Sequence, residues 1–201
     1  MIFIKKVITF LDVVFMNVNI KELSNDSNEI EKVQEFLFKM IKKEFGYDYV
    51  PEWHQDIVNM DEYYINPKRN AFFVAYSEDG EIIGTIGIRA YDKNFEKFKG
   101  LYSNETTSSI WRLFVDERYR RCGLASKIYS ISENFAKENE FSDIYLHTHR
   151  NLDGALEYWT KMGFIIRLDE QDDLETVHMD KHIKKLEISP HASILTYAIK
   201  L

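Results

Sequence analysis

A single cysteine, Cys122, stands in this chain of 201 residues. No internal disulfide can close, and one copy cannot build a thiolate zinc cage. Such sparing use of cysteine suits a reducing compartment, and a cytoplasmic location is expected. Positive charge is also scarce: 26 lysines and arginines against 33 acidic residues give a formal net charge of −7. Broad nucleic-acid or anionic-membrane binding selects the opposite balance, because a basic face is what releases counterions from phosphate. Neither partner is expected. No apolar run is long enough to cross a bilayer, which takes roughly 20 residues. The first sixteen residues, "MIFIKKVITFLDVVFM", are interrupted by Lys5, Lys6 and Asp12 and lead to no small-x-small cleavage site. Two readings of that segment stay open: an extra strand or partner-binding extension, or an over-called start with the functional chain beginning at Met16. There is also no low-complexity linker, no internal repeat, and no G-x-G-x-x-G after the first strand, so a dinucleotide fold is disfavoured.

What is present is an ordinary globular composition, 45 % hydrophobic and 29 % charged, in a length that fits one domain. That domain is expected over residues 17–182. The tail, 183–201, ends in an apolar stretch from Ile194 to Leu201 that is expected to add a strand or to contact a second subunit, so a homodimer is one expectation.

Val18, Ile20 and Leu23 predict a first strand, and the cap-forming run "SNDSNE" precedes a helix with Ile30, Val33, Leu37, Met40 and Ile41 on one face, ending near Gly46. A second helix is predicted over Pro51–Ile65, with Pro51 in its first turn. "AFFVAYSEDGEIIGTIGIRAY" reads as a hairpin turning at Glu78-Asp79-Gly80. Residues 93–108 have no periodicity and predict a long loop. Next come the strand "SIWRLFV", a helix with Leu124, Ile128, Ile131 and Phe135 as its apolar face, the strand "DIYLHTH", the helix "DGALEYWTKM", and the strands "FIIRL" and "TVHMDKHI". This order predicts an α/β (α+β) fold, a mixed and mostly antiparallel sheet of six to seven strands flanked by about four helices.

The stretch "RYRRCGLAS", residues 118–126, joins a strand to a helix. Unpaired N–H groups and roughly half a positive charge gather at such a helix start, which suits phosphate. Gly123 lets backbone approach a ligand, Ala125 keeps the next position small, and Arg118, Arg120 and Arg121 supply charge. The alternative from these residues alone is a plain connection with solvated arginines.

Arg120-x-x-Gly123-x-Ala125, followed by strand, helix and "ALEYWTKMGF", resembles the acetyl-CoA signature of the GNAT superfamily of N-acyltransferases. In element order the resemblance covers residues 17–182. It implies that the amides of Arg121, Cys122, Gly123, Leu124 and Ala125, with Arg120 and Ser126 beside them, cradle the pyrophosphate of acetyl-CoA as co-substrate. It also implies a splay between the strand at Leu113, Phe114 and Val115 and the strand at Ile144–His149, with the pantetheine arm along the former. A free N–H near Phe114 or Val115 is then placed for the thioester oxyanion. No metal and no covalent enzyme intermediate are implied, and a nucleophilic Cys122 has no evident base.

Acyl transfer to an amine calls for a base and an acid. The tyrosine that many family members place four residues before the glycine is Trp159 here, and an indole cannot donate that proton. Tyr158 is adjacent, either as the acid or turned to the core. The glutamate some members carry early in the preceding strand is Ser109. His147 and His149 share a strand face and are base candidates, with packing as the alternative reading. Solvent deprotonation with catalysis by positioning is a third reading.

For the acceptor, a small-molecule or peptide amine, Tyr49, Trp53 and His54 are candidate walls. The acidic residues Asp48, Glu52, Asp56, Asp61 and Glu62 are compatible with a cationic amine or with a solvated face. Acetyl transfer to a primary amine is the leading expectation. A CoA-binding sensor that has lost catalytic groups is the alternative, suggested by Trp159 and Ser109.

Overall fold

The computed structural model describes residues 18–93 and 95–183; the expectations for residues 1–16 and for the tail beyond Ile183 lie outside them. Strand β1 (Asn19–Glu22) leads into helix α1 (Ser27–Phe45), whose start is fixed by the Asp26 carboxylate accepting from the Asn28 and Glu29 N–H groups. Val33, Leu37, Met40 and Ile41 form its buried stripe, and Gly46 ends it. Helix α2 (Pro51–Val58) is shorter than its pattern predicts. His54 already leaves helical geometry, and beyond Asn59 the chain rewinds as a π-turn over Asp61–Ile65. At that break the buried His54 Nδ1 accepts from the Val50 N–H at 2.9 Å.

Strands β2 (Ala71–Tyr76) and β3 (Ile82–Ala90) form the expected hairpin. β4 (Thr107–Val115) begins earlier than its apolar run, because Thr107 already pairs with Asp143 and Ser108 with both Ile144 and Ala90. The preceding loop is correspondingly shorter and contains a 3-10 turn at Glu96–Phe98. Helix α3 (Leu124–Glu138), strand β5 (Asp143–His149), helix α4 (Ala155–Lys161), and strands β6 (Ile165–Asp169) and β7 (Thr176–His182) complete the domain. The sheet order is β1-β2-β3-β4-β5-β7-β6, antiparallel at every junction except β4 with β5.

Both faces of this sheet are covered, which explains why β2 reads as an unbroken apolar run. Ala71, Phe73 and Ala75 pack with α3 residues Ile128 and Ala136, while Phe72 and Val74 pack with Leu37, Ile41, Ile57 and Tyr64. Each fully buried large side chain stabilises the fold by about 1.5–3 kcal/mol. A third, smaller cluster of Tyr91, Phe98 and Tyr145 supports the β5–β7 end.

Candidate active site

The parallel junction is brief. Thr107, Ser108 and Ser109 pair with Asp143, Ile144 and Tyr145, and there the ladder stops. β4 runs on for another six residues beside β3, and β5 for another four beside β7, so the two strands diverge into the expected splay. Within it β4 carries a bulge: Thr85 faces Phe114 and Gly87 faces Trp111, leaving Ile86 opposite both Arg112 and Leu113. Arg112 holds φ +50, and its carbonyl accepts from the Thr85 hydroxyl at 2.9 Å. This bulge turns the Arg112 side chain towards α2, where its guanidinium meets the Asp56 carboxylate twice, at 3.0 and 2.6 Å, and the Trp53 carbonyl at 2.6 Å. Tyr64 donates to the same carboxylate at 2.7 Å. Burial alone would raise the Asp56 pKa, but the Arg112 contacts outweigh it and hold the carboxyl ionised below its ordinary range.

The wide end of the splay opens at the start of α3. Gly123 is the N-terminal cap residue at φ +86, and no side chain caps the helix. Lys127 is the first residue whose N–H returns to the cap; the N–H groups of residues 121–126 find no acceptor among the described residues. An anion is the natural partner of such a row at a helix start. The arginines differ in their engagement. Arg118 is tied to Asp116 and Glu81, and Arg120 to the Val115 carbonyl at 3.0 Å and to Glu44 at 2.5 Å. Arg121, 91 % exposed along its side chain, has only a 3.8 Å approach to Asp153. Cys122 is buried in the core, its thiol donating to the Tyr119 carbonyl, so it is a packing residue.

On β5, Tyr145, His147 and His149 follow one another along one face with ring contacts of 6.5 and 6.1 Å. His147 sits just beyond the last paired residue, edge-on to Trp111 of β4 at 6.3 Å. Burial first, then the charge of Lys93, pushes its pKa well below the usual histidine value, so the imidazole is neutral at neutral pH. His149 lies further out, bonded to the Leu174 carbonyl and edge-on to Phe45. His178 of β7, opposite His147 in register, is held by the Tyr145 hydroxyl and by Glu170 at 2.6 Å each.

The two tyrosine-position candidates separate cleanly. Trp159 is 6 % exposed and packs among Tyr129 and Phe164. Tyr158 is half-buried, and its hydroxyl, itself buried, makes no hydrogen bond among the described residues. Burial raises its phenol to about 12, with the nearby Ser126 hydroxyl pulling the other way. It is therefore protonated at neutral pH.

Of the expected acceptor walls, Tyr49 and Trp53 are exposed and His54 is turned inward. Trp53 stacks edge-on with Tyr47 at 5.2 Å, and Tyr47 lies on Phe45, making an aromatic rim beside His149. Of the acidic residues nearby, Asp56 is engaged by Arg112 and Asp48 by Lys42, whereas Glu52, Asp61 and Glu62 stand exposed on the surface. Sequence reasoning missed Arg112, Asp56 as its partner, and Lys93, whose ammonium lies 4.1 Å from the Trp111 ring centroid. Among the described residues, no group of three or more His, Cys, Asp or Glu is placed to hold a metal ion, and no helix is long and apolar enough to cross a membrane.

Residues 35–164, well over half of the chain, match the model of the acetyltransferase (GNAT) family. The chain belongs to the GNAT family. Its likeness to a human N-acetylaspartate synthetase is 26 % identity over 111 residues, 55 % of this chain and 33 % of that protein, so the match spans about a third of the relative's length. The fold matches a GNAT acetyltransferase from Staphylococcus aureus with a TM-score of 0.67 and 23 % identity, over 83 % of this chain and 99 % of that one. It also matches PaiA N-acetyltransferase from Thermoplasma acidophilum, solved in complex with coenzyme A, with a TM-score of 0.58 and 19 % identity over 84 % and 100 % of the two chains. A human relative named N-acetyltransferase 8, 27 % identical over 109 residues, 54 % of this chain and 44 % of that protein, also supports acyltransferase chemistry.

Proposed function

We propose that the protein transfers an acetyl group from acetyl-CoA to a primary amine of a small molecule or peptide by direct attack in a ternary complex. The observation that carries this is the splay leading into the unpaired N–H groups of residues 121–126. Those amides, with Gly123 open on its Cβ side, fit a pyrophosphate. Arg121 supplies an exposed charge, while Arg120 shapes the loop by tying it to Val115 and Glu44. Leu113, Phe114 and Val115 offer the strand edge to the pantetheine arm, and a relative solved with coenzyme A has the same fold.

The chemistry follows from the protonation states. His147, neutral and beside the end of the ladder, accepts the proton of the acceptor ammonium, directly or through water. The amine nitrogen forms a bond to the thioester carbonyl carbon and the carbon–sulfur bond breaks. The departing thiolate takes a proton from Tyr158, whose buried hydroxyl is protonated and lies beside that of Ser126. His149 and the exposed Trp53 and Tyr49 border the acceptor's approach, with His54 holding the segment from beneath.

Calorimetric titration with acetyl-CoA, followed by thiol release with a panel of amines, tests this. Micromolar binding and amine-dependent release are expected. Binding without release for any amine supports instead a CoA-binding sensor, the reading that the core-packed Trp159 favours. No binding sinks both.

A further inference from the structure

Three cations crowd the narrow end of the splay on the α2 side of the sheet. Arg89 is spent on Asp92 and Arg112 on Asp56, while Asp56 also receives the Tyr64 hydroxyl. Lys93 has no ion-pair partner among the described residues. Its ammonium is half-buried, 4.1 Å from the Trp111 ring centroid and 5.4 Å from that of Phe95. Arg89 lies over the same indole at 4.5 Å, so the surroundings of Lys93 are aromatic and carry a net positive charge. His147 touches that indole as well, edge-on at 6.3 Å. Lys93 and the base candidate are therefore no further apart than those two contacts allow, within the length of a small molecule.

We propose that Lys93 receives a carboxylate of the acceptor, so that the amine acetylated belongs to an anionic small molecule of the amino-acid type. This inference rests on the acetyltransferase reading and names the substrate class of that same site. Burial in first place, and then the charges of Arg89 and Arg112, bring the Lys93 pKa down to about 8. An ammonium made costly in this way gains most from an arriving anion. The same anion serves the base. The Lys93 charge holds the His147 pKa down, so a carboxylate that offsets it makes the imidazole a better proton acceptor when the substrate is bound. A cationic or neutral amine brings no such compensation. Asp56, the acidic residue of α2 that reaches this cluster, is already paired with Arg112, while Glu52, Asp61 and Glu62 lie on the exposed surface.

The test compares matched pairs: amino acids against their α-carboxamides, and aspartate and glutamate against asparagine and glutamine. Each is assayed with acetyl-CoA by thiol release in the parent, Lys93→Met and Lys93→Arg proteins. At least one carboxylate is expected to be preferred over its amide about tenfold or more in kcat/KM, chiefly through KM. That preference is expected to collapse in Lys93→Met and to return in part in Lys93→Arg, with acetyl-CoA titration showing that each variant is folded. Turnover with equal rates for every pair overturns the inference and leaves the acetyltransferase reading standing. A preference that survives intact in Lys93→Met overturns the role given to Lys93. If no amine is turned over, the same pairs are titrated calorimetrically into the CoA-saturated protein, and equal or absent binding of acid and amide again overturns it. An acetyl group found on Lys93 by intact mass after incubation with acetyl-CoA makes the lysine an acceptor, which also rules the proposal out. Absence of acetyl-CoA binding in the parent removes the reading on which the proposal rests, and the proposal with it.

Discussion

Gly123 holds φ +86, and a Cβ built on it would meet nothing within 4 Å, so conformation and not crowding selects glycine there. Gly123→Asp costs about 1 kcal/mol of backbone strain. It also puts a negative charge among the N–H groups of residues 121–126 and is expected to abolish acetyl-CoA binding in a calorimetric titration. Gly123→Asn carries a similar backbone cost without the charge, and is expected to weaken binding much less. For the acid, Tyr158→Phe is expected to lower kcat about 10²-fold with acetyl-CoA affinity retained. Trp159→Tyr is expected to destabilise the core and to leave kcat no higher, because that side chain packs against Tyr129 and Phe164. A rise in kcat in Trp159→Tyr would falsify the division of roles between the two neighbours. His147 offers a pH signature. Since its pKa lies well below the usual value, the acid limb of kcat/KM is expected to fall below pH ~6.5. That limb should be absent from His147→Ala.

At the scale of the elements, β3 is pinned from both faces. A Cβ on Gly87 would lie 2.7 Å from the Tyr64 ring, and one on Gly84 would lie 2.7 Å from Ile128 Cδ1 and 3.2 Å from the Phe114 carbonyl. Gly87→Ala is therefore expected to cost about 1–3 kcal/mol in denaturant unfolding by pushing the π-turn off the sheet. Since Tyr64 carries one of the Asp56 hydrogen bonds, activity should fall with it. Arg112→Ala strands the buried Asp56 carboxylate and is expected to cost about 3–5 kcal/mol. The elements that sequence made legible are those whose pattern is local. The hairpin of β2 and β3, the face of α3 and the start of α1 at Asp26 each follow from periodicity or a cap. The π-turn at Asp61–Ile65 and the bulge at Arg112 are not local, because tertiary contacts with Tyr64, Asp56 and Thr85 hold them in place. The same contrast applies to the site. Gly123 and the histidines of β5 stand in recognisable settings, whereas Lys93 is one charge in an aperiodic loop, and only the folded chain brings it over Trp111.

In the whole molecule, charge pairs link distant parts of the chain, and Glu133 is a clear case. Burial alone would raise its pKa, but hydrogen bonds from Lys137, Lys181 and Tyr129 bring it down to about 2. A carboxyl depressed on folding contributes stability above its unfolded pKa, near 4.3, and loses it as pH falls towards 2. Glu133→Gln is expected to flatten the decline of denaturant midpoint between those pH values. The short junction of β4 and β5 bears on the domain as a mechanical object. Two half-sheets, β1–β4 and β5-β7-β6, share three paired positions along their seam. A cofactor lying in the splay would act as a stitch across that seam, giving residues 110–115 of β4 a hydrogen-bonding neighbour on the side where the described residues supply none. Ligand at a hundredfold excess over Kd would stabilise the fold by about 2.7 kcal/mol through mass action alone. Its effect on hydrogen exchange should be uneven, slowing most at the amides of residues 110–115, so that the protein in the presence of its donor becomes one cooperative sheet in place of two hinged halves.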